Sequence, residues 1–210
     1  MKYFVKSLTA LALVGMVFSC NKREIIPPPE RKVELKNHFM GKIGGTDVEL
    51  TQNVGGFSGT SGVDLIINAG TMDSAVYHSV FSSTQTSQAV SIGHGCIIFD
   101  WNASERPTLA NFESFYLSGA NQSPPFMPNG LSGFVFKYTD GSGKVWRSGT
   151  TGTVNYTSMS IESDPSGDYA KFKVYFDTEV SRTYYDPILE VDVTDYMMVT
   201  DAVYTGWYKR

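Results

Sequence analysis

An all-β, antiparallel domain is the fold this 210-residue sequence predicts: a β-sandwich or jelly-roll-like architecture, with about ten short strands and one short helix near 107–117. Three observations predict it. Short runs of alternating apolar and polar residues recur along the chain, the period of a strand with one buried face. Turn residues punctuate those runs at Gly44-Gly45, Asp140-Gly141-Ser142-Gly143 and Asp164-Pro165-Ser166-Gly167. Aromatic residues form 13% of the chain and glycine fills 20 positions, a mix that suits strands joined by tight turns.

The elements follow in order. Residues 37–43 and 47–51 read as a hairpin around Gly44-Gly45. Residues 63–68, 75–81 and 89–100 are further strands. The last of these has Gly93 and Gly95 in its middle, the mark of a bulge or a close backbone approach. Between 107 and 117 the period changes. Leu109, Phe112, Phe115 and Tyr116 recur at helical spacing, Pro107 suits a first turn and Gly119 a stop, so a single helix should plug one face or end of a sheet. Residues 133–139 and 144–148 flank the Asp140-Gly141 turn and form the clearest hairpin. Residues 158–163 and 169–176 form another, with Ala170, Phe172, Val174 and Phe176 facing the core. Residues 188–193 read as a strand with Glu190 and Asp192 outward, after a loop at Tyr184-Tyr185-Asp186-Pro187, and 202–208 closes the domain.

The N-terminus carries a different message. Lys2 and Lys6 precede a mostly apolar run over 8–18, too short for the ~20 residues that span a bilayer. That is the layout of a secretory leader occupying 1–19. Val17-Phe18-Ser19-Cys20 resembles a bacterial lipobox, which implies that Cys20 becomes the lipidated first residue, carrying acyl chains such as palmitate. Residues 20–33 then form a linker. Its Pro27-Pro28-Pro29 favours a semi-rigid polyproline spacer of ~3.1 Å per residue, and the β-sandwich domain occupies 34–210.

Loss of the leader takes Lys2 and Lys6 with it, so a net charge of −4 becomes −6. An acidic chain is a poor match for nucleic acid, which needs a basic surface. The sequence has 2 cysteines, so lipidation of Cys20 leaves Cys96 without a partner in its own chain, and stability must come from core packing.

With the strands laid out, the chain resembles the small outer-membrane lipoproteins of Bacteroidetes-type bacteria. The resemblance rests on Phe39-x-x-Lys42-Ile43-x-Gly45 and on the helix after Ile98-Phe99. It rests also on the run from Lys137-Tyr138 through Asp140-Gly141 to Trp146-x-Ser148, and on the closing segment from Val199 to Gly206. It implies a β-sandwich and a lipid anchor and hands over no catalytic residue. Ala202 stands where such chains often have Gly. Acidic residues just after the lipidated cysteine would mark a surface-exposed member. Asn21, Lys22 and Arg23 stand there instead, with Glu24 the nearest acid, so the periplasmic and the cell-surface face stay open. Asp73-Ser74-Ala75 resembles the O-glycosylation acceptor of these bacteria, which implies modification at Ser74.

Several constellations could carry chemistry. His94 and Cys96 are two apart and would share a strand face, as a thiol–imidazole pair or two metal ligands would. No orienting group or further ligand stands near them, with His38 and His78 the remaining histidines, so a buried structural pair is the favoured reading. Glu190, Asp192 and Asp195, and Asp164 with Asp168, are paired carboxylates without a calcium-loop spacing, and read as solvated faces and turn acids. Aromatic rings are the remaining candidates. Trp101, Trp146, Tyr184 and Tyr185 are the rings placed best to contact a glycan, while Tyr204, Trp207 and Tyr208 belong to the closing strand. The loop over 123–130, with Phe126 and Met127 near its tip, could serve as a contact loop. The expectation is therefore a non-enzymatic binding or accessory lipoprotein of the bacterial outer membrane. It needs no cofactor or metal, and its partner is an envelope protein or, alternatively, a carbohydrate held on exposed aromatic rings.

Overall fold

The structure is a computed structural model that describes residues 32–67, 72–128 and 130–210. The leader, Cys20 and the linker through residue 31 lie outside the described residues, as do Asn68 at the end of one expected strand and Asn129 in the expected contact loop.

The described chain is antiparallel β with one short α-helix. Its strands are β1 (His38–Ile43), β2 (Thr46–Thr51), β3 (Phe57–Ile66), β4 (Asp73–Ser83), β5 (Ala89–Phe99), β6 (Phe134–Thr139), β7 (Val145–Asp164), β8 (Gly167–Asp186) and β9 (Val191–Lys209). They form one sheet in the order β2-β1-β9-β8-β7-β6-β5-β4-β3. This departs from the expected sandwich or jelly roll, which needs two sheets facing each other. Here a single sheet curls into a half-barrel, and its own concave face supplies both sides of the core. Every neighbouring pair except β1 and β9 is consecutive in the chain, so the strand order is circular and interrupted between β2 and β3.

Contacts between distant strands hold the curl. The Tyr204 hydroxyl on β9 lies 2.8 Å from Ser79 Oγ on β4, and the Lys209 amide donates to Ser61 Oγ on β3 at 2.9 Å. Asn37, just before β1, is the centre of this closure. Its Nδ2 donates to the Tyr204 hydroxyl at 2.9 Å, its Oδ1 accepts from the Trp207 indole at 2.8 Å, and its amide donates to Gln52 Oε1 at 2.7 Å. A Cβ at Gly59 would collide with that carboxamide, which explains a glycine inside β3.

The strands are fewer and longer than expected. The strands expected over 144–148 and 158–163 fall in one 20-residue β7 that begins at Val145, and 202–208 lies near the end of the 19-residue β9. Register shifts between Ser148 and Gly152 and between Tyr156 and Ser158 break the alternation that would have joined them. Two hairpins match expectation closely. Gly44 and Gly45 adopt φ of 58° and 80°, the left-handed pair that a two-residue hairpin needs. Asp140 closes the β6–β7 turn by accepting from the amides of Ser142 and Lys144.

The helix α1 (Leu109–Leu117) is capped by Thr108, whose hydroxyl accepts from the Asn111 amide at 3.2 Å; Pro107 therefore precedes the cap instead of entering the first turn. The helix ends at Ser118, before the expected Gly119, which opens a short 3-10 turn. Phe112 and Tyr116 are its buried residues. Phe112 meets Tyr77 edge-on at 5.0 Å and Tyr116 stacks on Tyr208 at 5.0 Å, so the helix plugs the concave face.

Candidate functional site

The shared strand face expected for His94 and Cys96, as a buried structural pair, is undone by the backbone, and Cys96 is only half-buried. The β4–β5 register slips between Ala75 and Tyr77, opposite Gly95 and Cys96, so the bulge expected at the glycines is present. Upstream of it Val90, Ile92 and His94 face inward; downstream Ile97 and Phe99 do. Cys96 falls on the other face, beside a shallow groove shared with α1, lined by Ile98, Asn111 and Ser114. His94 is buried, stacked on Tyr156 at 5.0 Å and packed against Phe115 and Tyr116, and its Nδ1 has no hydrogen-bond partner among the described residues. Desolvation pushes its imidazole down to about 3, so it is neutral in the fold.

The carboxylates are spread over separate structural duties. Asp164 caps the β7–β8 turn by accepting from Ser166 and also accepts from the Val33 amide at 2.7 Å, fixing where the chain enters the domain. Asp168 binds Arg210, and Asp195 binds Arg182. Glu190 lies in a turn, not on the strand face expected for it, because β9 begins only at Val191. No cluster of three or more His, Cys, Asp or Glu residues suited to a metal ion occurs among the described residues.

The aromatic residues do not gather on one concave surface. Trp207 is buried, with its indole bound to Asn37, and Tyr204 and Tyr208 are fully buried. Burial pushes the Tyr204 hydroxyl up to about 12, against the opposing effect of its hydrogen bonds with Ser79 and Asn37. Trp101 is partly exposed in the turn after β5, its amide bound to Asp73 and its ring edge-on to Phe99. Trp146 pairs with Tyr138, which in turn faces Val90 near the opposite end of β5, so most of that 11-residue strand separates the two rings. Ser74, the expected acceptor, is the second residue of β4, paired with both Ile66 and Ile98 and 8% exposed, so a transferase would have to reach it before the ladder closes. Of the expected contact loop, Phe126 is a core residue packed on Phe134 at 5.2 Å.

Trp146 does stand in a site. A cleft of ≈ 470 Å³ opens between β2 and the β6–β7 turn, lined by Trp146, Tyr138, Gln88, Asp140, Glu49 and Met197 among others. The Trp146 indole donates to Asp140 Oδ2 at 3.2 Å. Partial burial pushes the Asp140 carboxyl up, but hydrogen bonds from the Ser142 hydroxyl, the Lys144 amide and the Trp146 indole outweigh it and hold the group at about 2. The Arg182 guanidinium sits 5.4 Å from the Trp146 ring and 4.2 Å from the Tyr184 ring, and its Nη2 donates to Asp195 at 2.8 Å. Trp146, Arg182 and Tyr184 are thus one ladder running from the cleft along β8.

That ladder leads to the feature sequence reasoning missed. Tyr184 and Tyr185, expected in a loop, are on β8, and residues 188–190, expected in a strand, form the turn after it. The β7 ladder on β8 begins at Arg147, opposite Ser181, and the β1 ladder on β9 ends at Val199, while β8 and β9 stay paired out to Asp186 and Val191. The end of this hairpin therefore projects as a two-stranded arm. Two-stranded ribbons are marginal alone, and this one is braced. Arg182 pairs with Asp195, the Thr183 and Thr194 hydroxyls meet at 2.9 Å, and Asp186 Oδ1 accepts from the amides of Ile188 and Leu189 at 2.8 and 3.2 Å. At the tip Ile188 is 89% and Leu189 63% exposed. Tyr185, Tyr196 and Met198 extend the apolar surface along the face opposite the ladder. The two apolar residues after Pro187, set between Asp186 and Glu190, were the legible sign of a turn with an apolar tip.

No family model, no curated protein and no solved structure matches this chain. No helix of the described residues is long and apolar enough to cross a membrane.

Proposed function

We propose that this chain is a lipid-anchored, non-enzymatic binding or accessory module of the bacterial cell envelope, tethered through Cys20 to the outer membrane and docking a partner protein. The observation that carries the binding role is the braced β8–β9 arm, which concentrates exposed apolar side chains at one projecting tip. The separation of His94 from Cys96 and the structural partners of Asp164, Asp168 and Asp195 fit a module without a catalytic centre. The anchor rests on the lipobox resemblance at Val17-Phe18-Ser19-Cys20. Metabolic labelling with alkyne-palmitate tests it: the native chain should label and sediment with outer membranes, and Cys20→Ala should do neither. A labelled Cys20→Ala chain would sink the anchor reading.

A second reading is favoured by one observation, the Trp146 cleft with carboxylates and the Gln88 amide in its lining. It makes the module a carbohydrate binder. A polysaccharide that raises the melting temperature of the native protein and not of Trp146→Ala would support it. No shift across a panel of glycan classes removes it.

A further inference from the structure

The arm also says what kind of partner it meets, and the inference rests on the binding-module reading above. From Tyr184 to Met198 the chain carries Asp186, Glu190, Asp192 and Asp195 and no Lys or Arg. Arg182 neutralises Asp195. Asp186, Glu190 and Asp192 have no counter-ion among the described residues, and they flank Ile188 and Leu189 in the chain. An apolar tip flanked by carboxylates without a counter-ion is a mismatch for a bilayer whose surface is anionic, and like charges on two copies of the tip would repel. It complements an apolar pocket whose rim is cationic.

The tip is also preorganised. Asp186 fixes two amides of the turn, and Glu190 is held in the left-handed region at φ 54°, which a non-glycine residue adopts at a cost. A rigid tip loses little conformational entropy on docking. We infer that the β8–β9 tip is a plug: Ile188 and Leu189 enter an apolar pocket of a partner protein, and Asp186, Glu190 and Asp192 pair with lysine or arginine side chains on that pocket's rim.

The test uses the full-length chain in its native cells, with the photo-crosslinking residue benzoylphenylalanine at Ile188, at Leu189, and at Val54 as an exposed control on the β2–β3 turn. The expected result is one adduct of the same mass from Ile188 and Leu189 and none from Val54. Mass spectrometry of the adduct should place the attachment in an apolar stretch flanked by Lys or Arg. Its yield should fall about tenfold when Glu190→Lys and Asp192→Lys are combined, and also when salt rises from about 0.05 to about 0.5 M. Thermal melts of the charge-reversed chain should match the native one, since both positions are exposed.

Three results overturn the inference: an adduct yield that charge reversal leaves unchanged, an adduct of two copies of this chain, or flotation of the purified protein on phosphatidylcholine vesicles that is lost in Ile188→Asp. Failure of the anchor reading is separable. A chain that does not label at Cys20 and still gives the adduct keeps the plug; a labelled chain with no adduct loses it.

Discussion

Acid should destabilise this fold, and His94 is the buried histidine pushed furthest from its ordinary value. Its imidazole is pushed from 6.5 down to about 3 by burial among Tyr156, Phe115 and Tyr116. The sign follows from proton counting. Between about pH 3 and 6.5 the unfolded chain binds a proton at this site and the native chain does not. Stability therefore falls as pH drops through that window, is unaffected above it, and loses nothing further below it. At ~1.4 kcal/mol per pH unit, the step from about pH 7.5 to 4.5 costs about 3 kcal/mol. Asp140 and Asp168 add their losses at lower pH, because hydrogen bonds and, for Asp168, the Arg210 charge hold them ionised against partial burial. His78 also titrates low, through burial opposed by Asp64, so the comparison must isolate His94. Urea unfolding of the native protein and of His94→Met, at both pH values, does this. The variant should lose about 3 kcal/mol less than the native chain on acidification. A difference under about 1 kcal/mol would mean that His94 is hydrated or protonated in the fold, and the argument from burial would fail.

Two further predictions test how the half-barrel is closed. Asn37→Ala strips hydrogen bonds from the buried Tyr204 hydroxyl and the Trp207 indole and should cost about 2–4 kcal/mol in urea unfolding, with Trp207 fluorescence shifted to the red. Phe112→Ala removes a fully buried ring from the helix plug and should cost about 3–5 kcal/mol, while hydrogen exchange speeds up in 109–117 and in the Tyr77 region of β4 it packs on.

Much of the fold was legible because local chemistry decided it. Gly44-Gly45 has to be a hairpin turn, since few residues other than glycine take two successive left-handed conformations, and Asp140 has three local donors to close its turn. The helix over 109–117 shows in the spacing of Phe112 and Tyr116. What alternation cannot reveal is whether inward faces meet a second sheet or the far side of the same one. That was decided by long-range contacts, Tyr204 to Ser79 and Lys209 to Ser61, which leave no trace in local pattern. The site was less legible. Trp146 was identified, but its stacking with Arg182 depends on the β7–β8 register, and the break at Gly152 hides that register from a reading of β7 alone.

The misplacement of residues 184–190 has the same origin and bears on function. Alternation locates strands by a contrast between a buried and an exposed face. Beyond the pairings at Arg147 and Val199 the β8–β9 ribbon has no neighbouring strand among the described residues, so neither face needs to be uniformly apolar, and the pattern fades where the arm begins. Local stability then has to come from specific pairs, and the arm has them in Arg182 with Asp195, Thr183 with Thr194, and Asp186 with the turn amides. Those pairs hold Ile188 and Leu189 out in water, where leaving a side chain of that size unburied forgoes roughly 1.5–3 kcal/mol. A ribbon that served only to end the sheet could stop near Ser181, where the pairing with β7 runs out. Its extension past that point, braced and apolar at the tip, is intelligible if the missing burial is completed by another molecule.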